Sequence, residues 1–495
     1  MKKMLFAFMF VATVFSLQAQ NWQNVALNSQ ITHPQPMTGL VLWGDNAEDL
    51  KATFGNTITL EFSYCLPSKV VTGCESDGTI KYDWSYFEDI LNGAKSRGHQ
   101  LIARFRYEYP NNEETAVVGA TAVPQYIKDQ SDYKETYNED AGGDGETYYA
   151  DWSNEELQRF TLQFYTDFAK KYANDPRLAF VQVGFGHWSE YHIYGTDLEL
   201  GKNFPSKDFQ EKFFDHLNDV MQGIPWGVSV DAADEEYTPI VGKSKFKEIP
   251  FGLFDDSFMH EGHEVASGDG YNEENWAAID STRWKRSYAG GEISYYEEED
   301  QYNFLNPGGM YGYTWEEMAA KYHISFMTAN DAPNSAPGFG TPNRFKEASM
   351  ATGYRFKVIS CRTNGESTEL VVTNEGVAPI YKDAYFAIGE VRATQSLKHL
   401  LPGEQRVISI SAPLFDGKDL VIESDAILET QEIEYNADLS ASLSTNISNQ
   451  KTIISECYYD ILGRIVDSKT QGFVIKHTIY SDGTQVQEKK ISIIK

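Results

Sequence analysis

Two glutamates carry most of the chemical information in this chain. Glu190 lies in Gly184-Phe-Gly-His-Trp-Ser-Glu-Tyr-His192, with His187, Trp188 and His192 around it. Glu292 closes Gly290-Gly-Glu292, and Tyr295 and Tyr296 follow it. The first follows an apolar run, 178–186, of the kind that forms a strand buried on both faces of a parallel sheet. Two carboxyl groups held together in opposite protonation states do acid–base or nucleophilic chemistry. The fold must therefore bring together two positions that are far apart in sequence.

Other chemistries fit less well. His187-x-x-Glu190-x-His192 has one residue too many before the last histidine for a zinc motif. His260-Glu-Gly-His263-Glu264 lacks the i, i+4 histidine pair of a metalloprotease helix. The acidic loop 138–146 does not have EF-hand spacing and reads as solvated, so a structural calcium has no support. There is no phosphate-binding loop or dinucleotide fingerprint in a proper context. No cofactor and no catalytic metal is expected.

The elements that must position these residues follow from periodicity. Apolar runs at 39–43, 58–65, 100–107, 178–186, 225–231, 251–256, 287–292 and 323–329 read as strands. Amphipathic stretches at 84–97, 153–174, 206–222, 272–285 and 314–321 read as helices. Asp83 is the expected N-cap of the first. Ser153 with Glu156 is the expected capping box of the second. Eight strands with crossovers predict an α/β fold, a (β/α)8 TIM barrel, whose strand carboxyl ends carry the chemistry. Glu190 then follows strand four and Glu292 ends strand seven.

Arg104 and Arg106 share one face of strand three by alternation. If that face is the interior they need acidic partners or a ligand, and Glu61 or Asp256 is the expected partner. Glu108, Asp231, Asp255, Asp256, Asn330 and Asp331 fall at or near other strand ends. The candidate substrate-binding residues are Arg104, Arg106, Glu108, His187, Trp188, His192, Asp256, Tyr295 and Asn330.

From about residue 355 the pattern changes to period two, as in Arg355-Phe-Lys-Val-Ile and Gln405-Arg-Val-Ile-Ser-Ile. This predicts a β-sandwich over 355–430. A polar run then reads as a linker, and the chain closes on a small C-terminal β-domain. Residues 1–20 read as a signal peptide: Lys2 and Lys3, a mostly apolar run from Leu5 to Leu17, and Ala19 at the cleavage point. The barrel domain is then 21–354, and the linker with the last domain 431–495.

The formal charge of the 495-residue chain is -30, and removing the leader takes it to about -32. Such a surface repels nucleic acid and anionic membranes. Cys65 and Cys74 lie close enough around a loop for a disulfide, while Cys361 and Cys457 read as free thiols. The oligomeric state is not legible.

Two resemblances add to this. The last block, with Tyr459-Asp-Ile-Leu-Gly-Arg464, Gly472-Phe-Val, Ser481-Asp-Gly483 and a lysine-rich apolar terminus, resembles the sorting domain that Bacteroidetes-type bacteria read in type IX secretion. It implies that type IX machinery is a partner and that the protein is secreted or held at the cell surface. Residues of about 37–425 resemble an uncharacterised family of secreted bacterial proteins, each a barrel followed by a β-sandwich. The shared pieces here are Tyr82-Asp-Trp-Ser, Arg97-Gly-His-Gln-Leu-Ile-Ala-Arg104, Asp175-Pro-Arg177, the Gly184–His192 segment, Phe254-Asp-Asp-Ser-Phe258, Gly290-Gly-Glu292 and Thr373-Asn-Glu-Gly-Val-Ala-Pro379. That family is distantly similar to retaining glycoside hydrolases, which place one glutamate after strand four and another after strand seven.

The resemblance implies a carbohydrate substrate, with Glu190 as acid/base and Glu292 as nucleophile. Trp188 would raise the pKa of Glu190 by desolvation, and Tyr295 or Tyr296 would hold Glu292 ionised. Gly290 and Gly291 would admit the substrate closely. Ser189 stands where such hydrolases carry an asparagine that grips the sugar. A non-catalytic surface glycan-binding protein on a degenerate barrel is the alternative, and a proton-abstracting lyase a third reading.

Overall fold

The computed structural model describes residues 22–110, 121–192, 197–334, 338–415, 418–440, 453–460, 464–467, 470, 472–480 and 485–492. The expected leader 1–20 lies outside them. Residues up to Ser440 form one compact unit and those from Ala441 onward a second.

The first unit contains a closed, eight-stranded parallel barrel. Its strands are β1 (Gly39–Trp43), β2 (Leu60–Cys65), β3 (Gln100–Phe105), β4 (Leu178–Gln182), β5 (Trp226–Ser229), β6 (Gly252–Phe258), β7 (Ala289–Ile293) and β8 (Phe326–Thr328). Each pairs with the next in sequence, and β8 closes on β1 through Phe326↔Gly39 and Thr328↔Val41. Every expected strand is found. The apolar runs are continuous because both faces are buried. Leu40, Leu42, Leu101 and Leu253 pack outward into the helix layer. Phe62, Phe180, Phe254 and Phe326 belong to a second core cluster. There Phe180 and Phe326 stack at 5.1 Å and Phe180 meets Tyr288 at 4.9 Å.

The helices are shorter than their periodic stretches. The one before β4 spans Glu155–Tyr172 and is capped by Asn154, whose side chain accepts from Leu157 N at 2.8 Å. Ser153, the expected cap, instead donates to Asp151. The N-cap of Ser85–Ser96 is Trp84 and not the expected Asp83, which lies one residue earlier and accepts from Ser85 N at 3.0 Å.

The sandwich is built on the same unit. Its larger sheet orders Gln405–Ile410, Thr368–Asn374, Phe356–Thr363, Tyr435–Leu439 and Leu27–Ser29, with Gln23–Asn24 paired to Phe356–Thr363. A smaller sheet joins Val391–Arg392, Tyr385–Ile388 and Leu420–Glu423. Three strands therefore come from stretches expected in the barrel (Gln23–Asn24 and Leu27–Ser29) and in the linker (Tyr435–Leu439). Tyr435 and Ala437 are buried in that alternation, so the polar run begins only after Leu439.

The second unit is a four-stranded antiparallel sheet of Ile465–Val466, Ile453–Tyr459, Gly472–Tyr480 and Gln485–Ser492, in that order. Asp460 accepts from Arg464 N at 3.0 Å and from Arg464 Nε at 2.7 Å. The expected Ser481-Asp-Gly483 turn lies outside the described residues. All four cysteines are free thiols, so Cys65 and Cys74 are not bridged. Cys65, the last residue of β2, is fully buried in the core, whereas Cys74 is partly exposed. Among the described residues no helix is long and apolar enough to cross a membrane.

Candidate active site

Beyond β4 the chain turns back sharply on itself. Trp188, Ser189 and Tyr191 all take left-handed backbone, with φ of 55°, 60° and 61°. Such strain in side-chain-bearing residues persists only where the surroundings enforce it. Here Ser189 N donates to Gly186 O at 3.0 Å, Glu190 N to His187 O at 2.9 Å and Tyr191 N to Phe185 O at 2.9 Å. Gly184 makes the turn possible, since a Cβ there would lie 2.0 Å from Ser189 O. The result aims Glu190 into the barrel mouth with 6% of its surface exposed.

Glu190 Oε1 accepts from Tyr64 Oη at 3.0 Å and from Arg104 Nη1. Arg104 is the hub of the site. Its Nη2 donates to Asp256 Oδ2 at 2.7 Å. Its Nε and Nη2 both donate to Gln182 Oε1, at 2.8 and 2.6 Å. The guanidinium lies over the Phe254 ring at 4.5 Å and the Phe62 ring at 5.2 Å, so aromatic rings floor the site. Burial works against the arginine's charge, but Asp256 and Glu190 outweigh it and hold Arg104 protonated. Glu61, the other expected partner, pairs with Arg97 at 2.6 Å and His99 at 2.7 Å.

Glu292, the penultimate residue of β7, stands at the same mouth. Burial, then the charge of Asp256, pushes its carboxyl up to about 8. The Trp43 indole N–H pulls the other way, although neither it nor Glu292 Oε1 completes a hydrogen bond. Tyr295, half exposed, has its hydroxyl against Glu292. Burial, then Asp256, also drives Glu190 well above the usual carboxylate range, with Arg104 opposing and Glu292 adding to the rise. Glu190 and Asp256 are within hydrogen-bonding reach of each other. Glu190 and Glu292 therefore both hold their protons to higher pH than ordinary carboxyl groups, on either side of one guanidinium's charge.

The glycines before Glu292 serve the fold. Gly291, at φ 143°, sits where a Cβ would meet Asp255 O at 1.9 Å, and Gly290 makes room for the Phe326 ring. They let β7 pass close to β6 and β8 rather than opening space for a ligand.

The remaining sequence candidates divide. His192 Nε2 approaches Asp231 at 3.1 Å and Glu190 Oε2 at 3.9 Å, so it stands at the mouth with strand five's acid. Trp188 packs edge-on against Tyr109 and His192, and its carbonyl faces Arg104 at 3.5 Å. Arg106 lies over Tyr109 at 4.2 Å and Tyr64 at 5.1 Å, on the same face as Arg104. His187 is turned into the β3 connection, bonded to Tyr149 at 2.6 Å; burial holds its pKa down to about 3 and keeps it neutral. Glu108 is buried there too, accepts from Ala150 N at 3.1 Å, and is pushed up to about 8 by burial. Asn330 accepts from Trp43 N at 3.1 Å and so ties β8 to β1 beside the indole.

Asp255 points away from the mouth. Burial raises its pKa, but His263 at 3.0 Å and Trp276 at 2.9 Å outweigh it and keep it ionised. Loop 138–146 is closed by its own bonds, from Asp140 N to Asn138 Oδ1 at 3.1 Å and from Gly145 N to Asp140 Oδ1 at 3.3 Å. Among the described residues no group of three acidic, histidine or cysteine side chains could hold a metal ion.

Three site residues were not singled out from sequence: Gln182, Tyr64 and Trp43. Gln182 had a signal, since it is the one polar side chain in the run Leu178-Ala-Phe-Val-Gln-Val. A buried amide in such a run needs a partner.

No family model and no curated protein matches this chain. Solved structures similar to it include a family 39 glycoside hydrolase from the gut symbiont Bacteroides cellulosilyticus WH2, at TM-score 0.34 and 9% identity over 79% of this chain and 84% of that one. Another is CldA, a cyclomaltodextrin glucanotransferase with a three-domain ABC distribution, at TM-score 0.32 and 9% identity over 77% and 90%. A third is a glucosidase from Croceicoccus marinus, at TM-score 0.31 and 9% identity over 96% of both chains. Similarities of this size carry nothing about the chemistry of this chain's site.

Proposed function

We propose that the chain is a secreted carbohydrate-active enzyme, a retaining glycoside hydrolase acting on a poly- or oligosaccharide. One observation carries the reading. Glu190 and Glu292, from strands four and seven, stand close enough at the barrel mouth for the charge of Glu292 to raise Glu190, while Arg104 bridges Glu190 and Asp256. In this mechanism Glu190, kept protonated by burial, gives its proton to the glycosidic oxygen as the bond to the anomeric carbon breaks. Glu292 attacks that carbon and forms a glycosyl ester. Water, giving its proton to Glu190, then hydrolyses the ester. Trp43 and Tyr295 favour the ionised nucleophile. The barrel floor excludes water from below. The test is turnover on a panel of glycans, with Glu292→Gln as control.

Two observations favour a second reading, a surface glycan-binding protein. Arg104 engages the Glu190 oxygen that would carry the proton. Ser189 turns its hydroxyl to Phe105 O at 3.0 Å, away from any ligand. Glycan binding without turnover in the same panel selects this reading.

Export is part of the proposal. The leader-like residues 1–20 and the motifs of 453–492 support passage through the inner membrane and then through type IX machinery.

A further inference from the structure

A cleft of about 660 Å³ opens between the barrel and the sandwich. It is lined by Pro225, Pro250 and Ser287, which lie one or two residues before β5, β6 and β7, so it lies at the barrel end opposite Glu190 and Glu292. We infer that this cleft is a separate binding site for an acidic saccharide, whose carboxylate lies against Lys382 and Lys398.

The charge distribution carries this. On a chain of formal charge -30, the acids of the cleft are mostly neutralised from within the fold. Asp175 is clamped by Arg177 at 2.9 and 2.6 Å, and Asp425 by Arg392 at 3.0 and 2.8 Å. Asp383 is exposed beside His399. Lys382 gives its ammonium to the Gly223 carbonyl rather than to a carboxylate. Burial pushes Lys382 down to about 8, and the charge of Lys398 adds to this. A half-buried cation whose ammonium meets only a carbonyl gains from an incoming anion, which supplies a counter-charge. His399 stands on left-handed backbone at φ 55°, a strain typical of binding positions. The amides of Asn174, Asn218 and Gln222 offer partners for hydroxyl groups along the same wall. The volume falls in the range of ligand pockets, about 300–1,000 Å³, and exceeds what a lone inorganic anion fills.

The inference is independent of the proposed catalytic role. Isothermal titration of the full chain at low ionic strength would use an oligoglucuronide, a neutral oligosaccharide of equal length, and inorganic phosphate. Saturable binding of the oligoglucuronide is expected, weakened about tenfold or more in Lys398→Glu and in Lys382→Met. Lys382 and Lys398 are both partly exposed, but only Lys382 gives up a bond to the Gly223 carbonyl, so the Lys398 variant keeps the test open should Lys382→Met not fold. The inference is overturned if the wild type shows no saturable binding of the oligoglucuronide, or if Lys398→Glu binds it as tightly. Equal affinity for the neutral oligosaccharide or for phosphate alone would also overturn it.

Discussion

Gln182 and Arg104 form a closed fork: one amide oxygen on β4 takes two N–H groups of a guanidinium on β3. The fork fixes which way the arginine faces, leaving Nη1 for Glu190 and turning Nη2 to Asp256 as well. Gln182→Leu removes that acceptor and strands two buried donors. A stability loss of about 1–3 kcal/mol is expected, measured by chemical denaturation. Catalysis should fall further than stability explains, because the guanidinium no longer holds Glu190. A variant that matches wild type in both would show that the fork positions nothing.

The carboxyl of Glu292 is raised to about 8, so its ionised form is populated only as pH rises past that value. If it is the nucleophile, kcat/KM of the free enzyme climbs through an alkaline limb near that pH. Trp43→Phe removes the N–H that favours the ionised form, so the limb moves to higher pH. A limb that stays in place or moves down contradicts the role of the indole.

Azide should partly restore Glu292→Gly by filling the vacated space. It should restore Glu190→Ala only on substrates with good leaving groups, where no proton is needed. Rescue of both variants on every substrate would dissolve the distinction between acid and nucleophile.

Glu108 tests the electrostatics away from the reaction. Its folded pKa, about 8, lies above the unfolded value. The stability it contributes is full below the unfolded pKa and is lost as pH rises through the folded one. Glu108→Gln should therefore match wild type at pH 4 and exceed it at pH 9, by up to a few kcal/mol. A stability difference independent of pH would refute the burial of this charge.

Export is tested by truncation. Tyr435–Leu439 belongs to the sandwich, so the cut belongs at Ala441. The truncated chain is expected to fold and to remain in the periplasm. Its appearance at the surface or in the medium would end the sorting reading.

The barrel was legible because parallel strands buried on both faces write themselves as long apolar runs, and β1 to β8 all appear where those runs stand. Leu27–Ser29 and Tyr435–Leu439 were not, because three to five residues paired across the whole chain leave too short an alternation to read. The N-cap moved by one residue since Ser153 found a nearer partner in Asp151. The positions of Glu190 and Glu292 were legible from the strand count. What surrounds them was not: Arg104 alternates onto the right face, but only the folded registers decide that it meets Asp256 and not Glu61.

Turnover of a glycan panel by the wild-type chain and by Glu292→Gln tests the central claim most directly. The account predicts hydrolysis of at least one glycan with retention at the anomeric carbon, and loss of about a thousandfold or more in the variant. Equal turnover by both proteins, or binding of a glycan with no turnover by either, would contradict it.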